Sequence, residues 1–420
     1  MRENTVQIKE GIKLHLIKTN KFKTNLICVF ITTPLSRENV TKNALIPAIL
    51  RRGTANMKSQ DEISKKLEEM YGAEFDCGIE KTGDNQVIKF YLEALNDEFL
   101  PQKEDLLKRS IQVLFDIILN PLTENGIFKE EYLETEKINL KQLIQGKIDN
   151  KDLYAFEKCA EKMYEGKLYS LYKYGYEEDL EGISSYEIYE HYKKIMDTAK
   201  IDIFISGEYK DQEIKEIVDS CLEKTIDRTP NNLASGEQID KIEGPKKIEE
   251  KMEVTQGKLV IGTNIKELKK EERFVVSVYN TILGDSANSK LFQNVREKAH
   301  LAYTTRSTYV RPKNDIYIRC GIEIQNYDKA IEIIYKQLED MKNGEFSEED
   351  IKNAKQYIIS AIKSVEEEQD TEIMYYLGQE LAETNYSLEE YKKSIEDVTK
   401  EQIQDIAQRI QINTIYFLRN

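Results

Sequence analysis

Gly126-Ile127-Phe128-Lys129-Glu130-Glu131 returns later in the chain as Gly344-Glu345-Phe346-Ser347-Glu348-Glu349. Each copy opens a long helical pattern whose positions keep step: Leu133, Lys137 and Leu140 in the first, Ile351, Lys355 and Ile358 in the second. Upstream of each lies an amphipathic helix, with Ile111, Leu114 and Ile118 on one stripe and Ile331, Ile334 and Leu338 on the other. Spacing of i, i+3, i+7 gives a face able to cover a sheet. Downstream, each half closes on a β-rich run, at 201–205 and 414–418. Unrelated α+β domains can share this order of elements, but the matched glycine, phenylalanine and glutamates point to duplication.

Strands open each half. The first half reads as β at 6–19, 26–32, 74–79 and 87–92, the second at 258–262, 302–309 and 316–324. Strands first and long helices later predict an α+β fold of two tandem homologous domains, each a mixed or antiparallel sheet with helices on one face. Thr229-Pro230-Asn231-Asn232 and Ser235-Gly236-Glu237 break periodicity, which sets a linker at 227–245 between domains 1–226 and 246–420.

The 420 residues are 40% hydrophobic, enough for a sizeable core. A formal charge of -15 argues against nucleic-acid binding, which needs clustered Lys and Arg on one face. No apolar stretch of leader length follows Met1, and no window reaches the roughly 20 apolar residues of a membrane span. Cys28, Cys77, Cys159, Cys221 and Cys320 lie far apart without a CxxC pair, as suits free thiols in a reducing compartment. A cytoplasmic location is expected. Phosphate-cradling loops, a GxSxG elbow and a Walker lysine are missing from the sequence. Tyrosines crowd 154–192, where packing on helix faces competes with lining of a peptide cavity.

The segment Asn43-Ala44-Leu45-Ile46-Pro47-Ala48-Ile49-Leu50-Arg51-Arg52-Gly53-Thr54 resembles in frame the signature helix of the insulinase/pitrilysin metallopeptidases. Active members of that family carry His-x-x-Glu-His followed by Lys-Gly-Thr. Anchored on Gly53-Thr54, the resemblance places Ala44 and Ala48 at the two zinc-binding histidines and Pro47 at the general-base glutamate. Two imidazoles one turn apart grip the metal, and the glutamate takes a proton from its water. Alanine offers no lone pair and proline no carboxylate. The helix Glu136-Lys137-Ile138-Asn139-Leu140-Lys141-Gln142-Leu143-Ile144 is similar to the family's downstream helix, with Leu143 at the third ligand. The only histidines are His15, His191 and His300, no two within helical reach. The resemblance therefore implies a zinc-less member, with no metal bound at that place. Taken without the family, Ala44 to Leu50 is a buried apolar helix.

The second half keeps the family's features. Leu283-Gly284-Asp285-Ser286 leads through Ser289-Lys290-Leu291-Phe292 to Val295-Arg296-Glu297-Lys298-Ala299-His300-Leu301-Ala302-Tyr303. This is similar to a C-terminal motif ending Arg-Glu-Lys-x-Gly-Leu-Ala-Tyr, whose arginine and tyrosine hold the substrate backbone and its developing oxyanion. Arg296 and Tyr303 have that spacing; a guanidinium stays charged and a phenol donates one directed bond. His300 replaces the motif's glycine, and its Cβ could alter the turn that presents Tyr303. Taken alone, Arg-Glu-Lys is a solvated helix end and Tyr303 half-buried packing.

The resemblance implies the non-catalytic subunit of a two-subunit zinc peptidase, completed by a His-x-x-Glu-His homologue that carries the zinc and acts on peptides or unfolded polypeptide. The pattern is most similar to insulinase-like pairs of Gram-positive bacteria associated with aminopentanol modification of elongation factor P; no residue here specifies that substrate. A structural or peptide-binding scaffold with no share in catalysis is the alternative, and a peptide-binding homodimer lies between. Retention of Arg296 and Tyr303 separates them.

Overall fold

The computed structural model describes residues 5–223, 228–237, 239 and 244–420. Of the expected linker, Asp227, Gln238, Asp240 and residues 241–243 lie outside the described residues, as does Ile226 at the end of the first domain. In chain order the first half runs β1 (Thr5–Lys9), β2 (Ile12–Lys18), β3 (Thr24–Pro34), α1 (Val40–Leu50), α2 (Gln60–Glu68), β4 (Glu74–Thr82), β5 (Asn85–Leu95) and α3 (Leu106–Leu119). A short hairpin, β6 (Thr123–Glu124) and β7 (Ile127–Phe128), precedes α4 (Glu130–Gln145), α5 (Lys151–Met163), α6 (Ser185–Thr198), β8 (Lys200–Gly207) and α7 (Asp211–Cys221). The second half runs β9 (Lys246–Lys251), β10 (Gly257–Ile265), α8 (Arg273–Asn280), β11 (Ala302–Val310), β12 (Asp315–Ile322) and α9 (Tyr327–Lys342). It ends with α10 (Glu348–Val365), α11 (Gln369–Leu381), α12 (Leu388–Glu396), α13 (Lys400–Arg409) and β13 (Ile410–Arg419).

The duplication is visible in the strand order. One sheet reads β1-β2-β8-β3-β5-β4 and the other β11-β12-β10-β13-β9. Reversed, the second matches the first from β2 onward. Each has a single parallel pair in the same place, β2 with β8 and β9 with β13. Two differences from the sequence reading have local causes. The run 6–19 is two strands rather than one, because Gly11 turns the chain at φ +68 and packs against Pro230. β9 went unread because Lys246-Lys247-Ile248-Glu249-Glu250-Lys251 has almost no apolar content; it is a half-exposed edge strand held by β13.

Contacts divide the chain into two compact units that are not contiguous in sequence. The first comprises 1–145, 171–235 and 369–381; the second comprises 146–170, 236–368 and 382–420. Each unit thus holds one helix from the other half, α11 in the first and α5 in the second. The offset that takes Gly126 to Gly344 also takes Lys151 to Gln369 and Met163 to Leu381, so the two helices are equivalent copies.

Alternation along the strands explains where they go. In the first unit Ile27, Val29 and Ile31 face the core made with α1, α3 and α6. The next residues in register, Leu26, Cys28, Phe30 and Phe204, face the other way and are covered by Ile373 and Leu377 of α11. Gln369 pins the start of α11, its amide donating to the Ser206 carbonyl at 3.0 Å and hydroxyl at 3.1 Å. In the second unit Val260, Tyr317, Tyr416 and Leu418 form the corresponding surface under Ala155, Cys159 and Met163 of α5. Gly262 lets α5 approach, since a Cβ there would lie 2.7 Å from the Met163 sulfur. Beyond α5, the Tyr164 hydroxyl donates to Asp315 at 2.6 Å. No helix among the described residues is long and apolar enough to cross a membrane.

Candidate functional site

The segment carrying Arg296 and Tyr303 departs from regular structure at three successive points. α8 runs into a π-helical turn at Thr281–Asp285, and a second π-helical stretch spans Phe292–Lys298. Wide turns of this kind concentrate at functional sites. Between them, Gly284 lies against β11, where a Cβ would meet the Ser307 amide nitrogen and hydroxyl at 2.7 Å. That close approach accounts for the Leu283-Gly284 of the motif.

The second departure is the turn at His300, which takes φ +53, the left-handed region where glycine is cheapest. Histidine is among the side chains that tolerate it best. The His300 amide donates to the Arg296 carbonyl at 3.1 Å and the Leu301 amide to Val295 at 3.1 Å, closing the helix end. The Cβ of His300 therefore leaves the turn in the form a glycine would give it, and strand β11 starts two residues on.

The third departure is a β-bulge. β11 pairs Ala302 with Ile322 and Thr304 with Gly321, leaving Tyr303 as the extra residue. A bulge re-aims the side chain it carries. Tyr303 is 60% exposed on this edge strand, its hydroxyl 3.4 Å from the Glu323 carboxylate. The Arg296 side chain is 44% exposed, its guanidinium 4.7 Å from the Phe292 ring centre and 3.6 Å from Glu297. The two groups flank one short turn, and each faces solvent with only a loose local partner. A permanent cation and a directed hydroxyl so placed can hold a peptide carbonyl. Neither the π-helical turns nor the bulge has a residue signature in this sequence.

In the first unit the residues that the resemblance sets at the zinc-ligand positions are hydrocarbon. Ala44 and Pro47 are buried in α1, Ala48 is half-buried there, and Leu143 is exposed on α4, which packs on α1. None has a donor atom for a metal, so these residues do not fit the family's zinc. Polar groups nearby are engaged elsewhere. Buried Glu136 pairs with Arg52 and accepts from Asn139 at 3.0 Å. Asn43 donates to Gln86 at 2.7 Å and meets His191 Nε2 at 2.7 Å. Burial, with Lys42 and Lys194 nearby, pushes the His191 imidazole down to about 4.

Gly53-Thr54, which anchored the frame, has a structural task of its own. The Thr54 hydroxyl donates to Asp116 at 2.6 Å and accepts from the amides of Asn56 and Met57 at 3.0 and 2.9 Å. A Cβ on Gly53 would press on the Met57 carbonyl at 3.0 Å. The turn after α1 needs both residues whether or not a metal is bound.

Three tyrosines of the 154–192 stretch pack within the units, while Tyr186 is exposed. Tyr164 and Tyr169 are buried in the second unit, and Tyr192 in the first donates to the Ile118 carbonyl at 2.8 Å.

A family model described as the peptidase M16 inactive domain matches residues 182–358. The chain is 32% identical over 410 residues to a probable inactive metalloprotease, YmfF, of Bacillus subtilis, covering 97% of this chain and 96% of that one. Among solved structures, a conserved protein from Enterococcus faecalis matches with a TM-score of 0.90 and 26% identity, over 100% of this chain and 99% of that one. A peptidase M16 inactive domain from Pseudomonas fluorescens matches in fold, with a TM-score of 0.81 at 16% identity over 100% of this chain and 98% of that one.

Proposed function

This chain belongs to the insulinase-like M16 peptidase family, among its inactive homologues, and from that premise we propose that it is the zinc-less subunit of a two-subunit peptidase. Arg296 and Tyr303 are its contribution to the shared site. A homologue bearing His-x-x-Glu-His supplies the zinc and its activated water. The substrate is a peptide or unfolded segment bound in extended form along a sheet edge, a mode that reads main chain more than side chains. The cytoplasm is the expected place of action.

The observation that carries this reading is the presentation of Tyr303. A chain kept only for its fold has no need of an exposed tyrosine on an edge-strand bulge seven residues after an exposed arginine. Donors aimed at an oxyanion are worth about 3–4 kcal/mol each, or roughly 10²–10³ in rate. The scaffold alternative draws on α1, whose residues are apolar and buried or half-buried at the positions given to the zinc ligands.

The test is hydrolysis of fluorogenic peptides by this chain alone, by the His-x-x-Glu-His homologue alone, and by both. Activity is expected only in the mixture, falling at least about a hundredfold with Arg296→Ala or Tyr303→Phe. Full activity of the mixture with both substitutions present would favour the scaffold. Strong zinc-dependent activity of this chain alone would sink both readings.

A further inference from the structure

We propose that His15, Asp202 and Glu380 form a divalent-metal site in the first unit, separate from the degenerate zinc positions, which fastens α11 to the sheet. β2 and β8 run parallel with Lys13 beside Asp202 and His15 beside Phe204, so His15 and Asp202 share the face that α11 covers. Glu380, in the last turn of α11, completes the group. One donor atom from each of the three lies within 4.8 Å of the others.

The imidazole is held for the task. It stacks on the Phe204 ring with centres 4.2 Å apart and planes at 11°. Its Nδ1 faces the Thr5 hydroxyl at 3.1 Å and its Nε2 the Asp202 carboxylate at 2.8 Å. Without a metal, Nε2–H donates to Asp202; with an ion bound, the ring proton sits on Nδ1 directed at Thr5 and the Nε2 lone pair faces the ion. A hydrogen bond from the non-ligating nitrogen is the usual support of a metal-bound histidine.

His15 and Asp202 are almost fully buried, so their setting is dry. Two carboxylates there attract a cation, and Lys13 fills that role through its ion pair with Glu380. The Lys13 side chain is 40% exposed on a flexible stem and can retire into water. A divalent ion would replace it with twice the charge and direct bonds. One imidazole with two carboxylates suits zinc or manganese, whereas calcium prefers six to eight oxygens. The competing arrangement is a charge-balanced cluster that takes no metal.

Titration calorimetry on the purified, chelator-stripped full chain separates the two, with Zn²⁺ and Mn²⁺ as probes and Ca²⁺ as control. One transition ion per chain is expected. Binding should weaken at least about tenfold in His15→Ala and in Glu380→Gln. It should tighten in Lys13→Gln, which removes the resident cation and leaves the ligands. No binding by the wild type, or an affinity unmoved by His15→Ala and Glu380→Gln, would overturn the site. So would a Lys13→Gln chain that binds no more tightly, and that variant serves even if His15→Ala fails to fold.

Discussion

His300 sits in a backbone conformation that costs an ordinary L-residue about 1–2 kcal/mol. Glycine there removes the strain but loosens the unfolded chain, so His300→Gly is expected to stabilise by up to about 1 kcal/mol, read as a higher denaturation midpoint. His191 gives a pH-dependent counterpart. Its folded value of about 4 lies below the roughly 6.5 of an unfolded chain. Between those values the unfolded chain takes up a proton that the folded chain refuses. Its contribution is therefore intact above about pH 6.5 and is lost as pH falls toward 4, by about 1–3 kcal/mol. His191→Gln should lose less stability than wild type between pH 7 and 5 in urea titrations; an equal loss would clear His191 of the effect. At this scale the sequence was legible wherever the question concerned chemical kind. A side chain has a lone pair or lacks one, and those of Ala44, Pro47 and Ala48 have none to offer a metal. The bulge under Tyr303 and the π-turns before it were not legible, because they are choices of backbone hydrogen-bond register that many side chains accept.

α5 and α11 were not singled out in the sequence, and the periodicity of such helices names no partner. Nothing in Ile373 or Leu377 says that the surface they cover is Leu26, Phe30 and Phe204, more than a hundred residues earlier. The face under α1 and α3 was easier to read; the near-continuous apolar runs 26–32 and 87–92 leave a second apolar face, for which the sequence reading named no cover. Leu377→Ala should cost about 2–5 kcal/mol, and the loss should appear in amide exchange of β3 and β8 rather than in the second unit's sheet. Gly262→Ala drives a methyl toward the Met163 sulfur and the Tyr317 ring. It is expected to destabilise by about 1–3 kcal/mol and loosen α5, read by its thermal midpoint. An unchanged midpoint would show that α5 rides further from β10 than the close approach at Gly262 requires.

For the whole molecule, the duplication was readable because both copies kept the same Gly-x-Phe and Glu-Glu marks, and the strand orders agree. The sequential boundary at 227–245 was drawn where periodicity stops, while packing follows the apolar faces. A fragment of residues 1–226 should therefore aggregate, because it lacks α11 and carries α5 without the surface that α5 covers. Co-expressed with 246–420, it should become soluble. A monomeric 1–226 fragment that unfolds cooperatively on its own would count against the exchange. The same exchange sets a timetable for synthesis. As the chain leaves the ribosome, the face of the first sheet that α11 covers stays bare until residue 381 has emerged, long after its own strands are made. The second sheet finds its borrowed helix already waiting. Both halves thus reach completion almost together, once α11 and β13 have been made, and the greasy strip along β3 and β8 is where a nascent-chain chaperone would be needed longest.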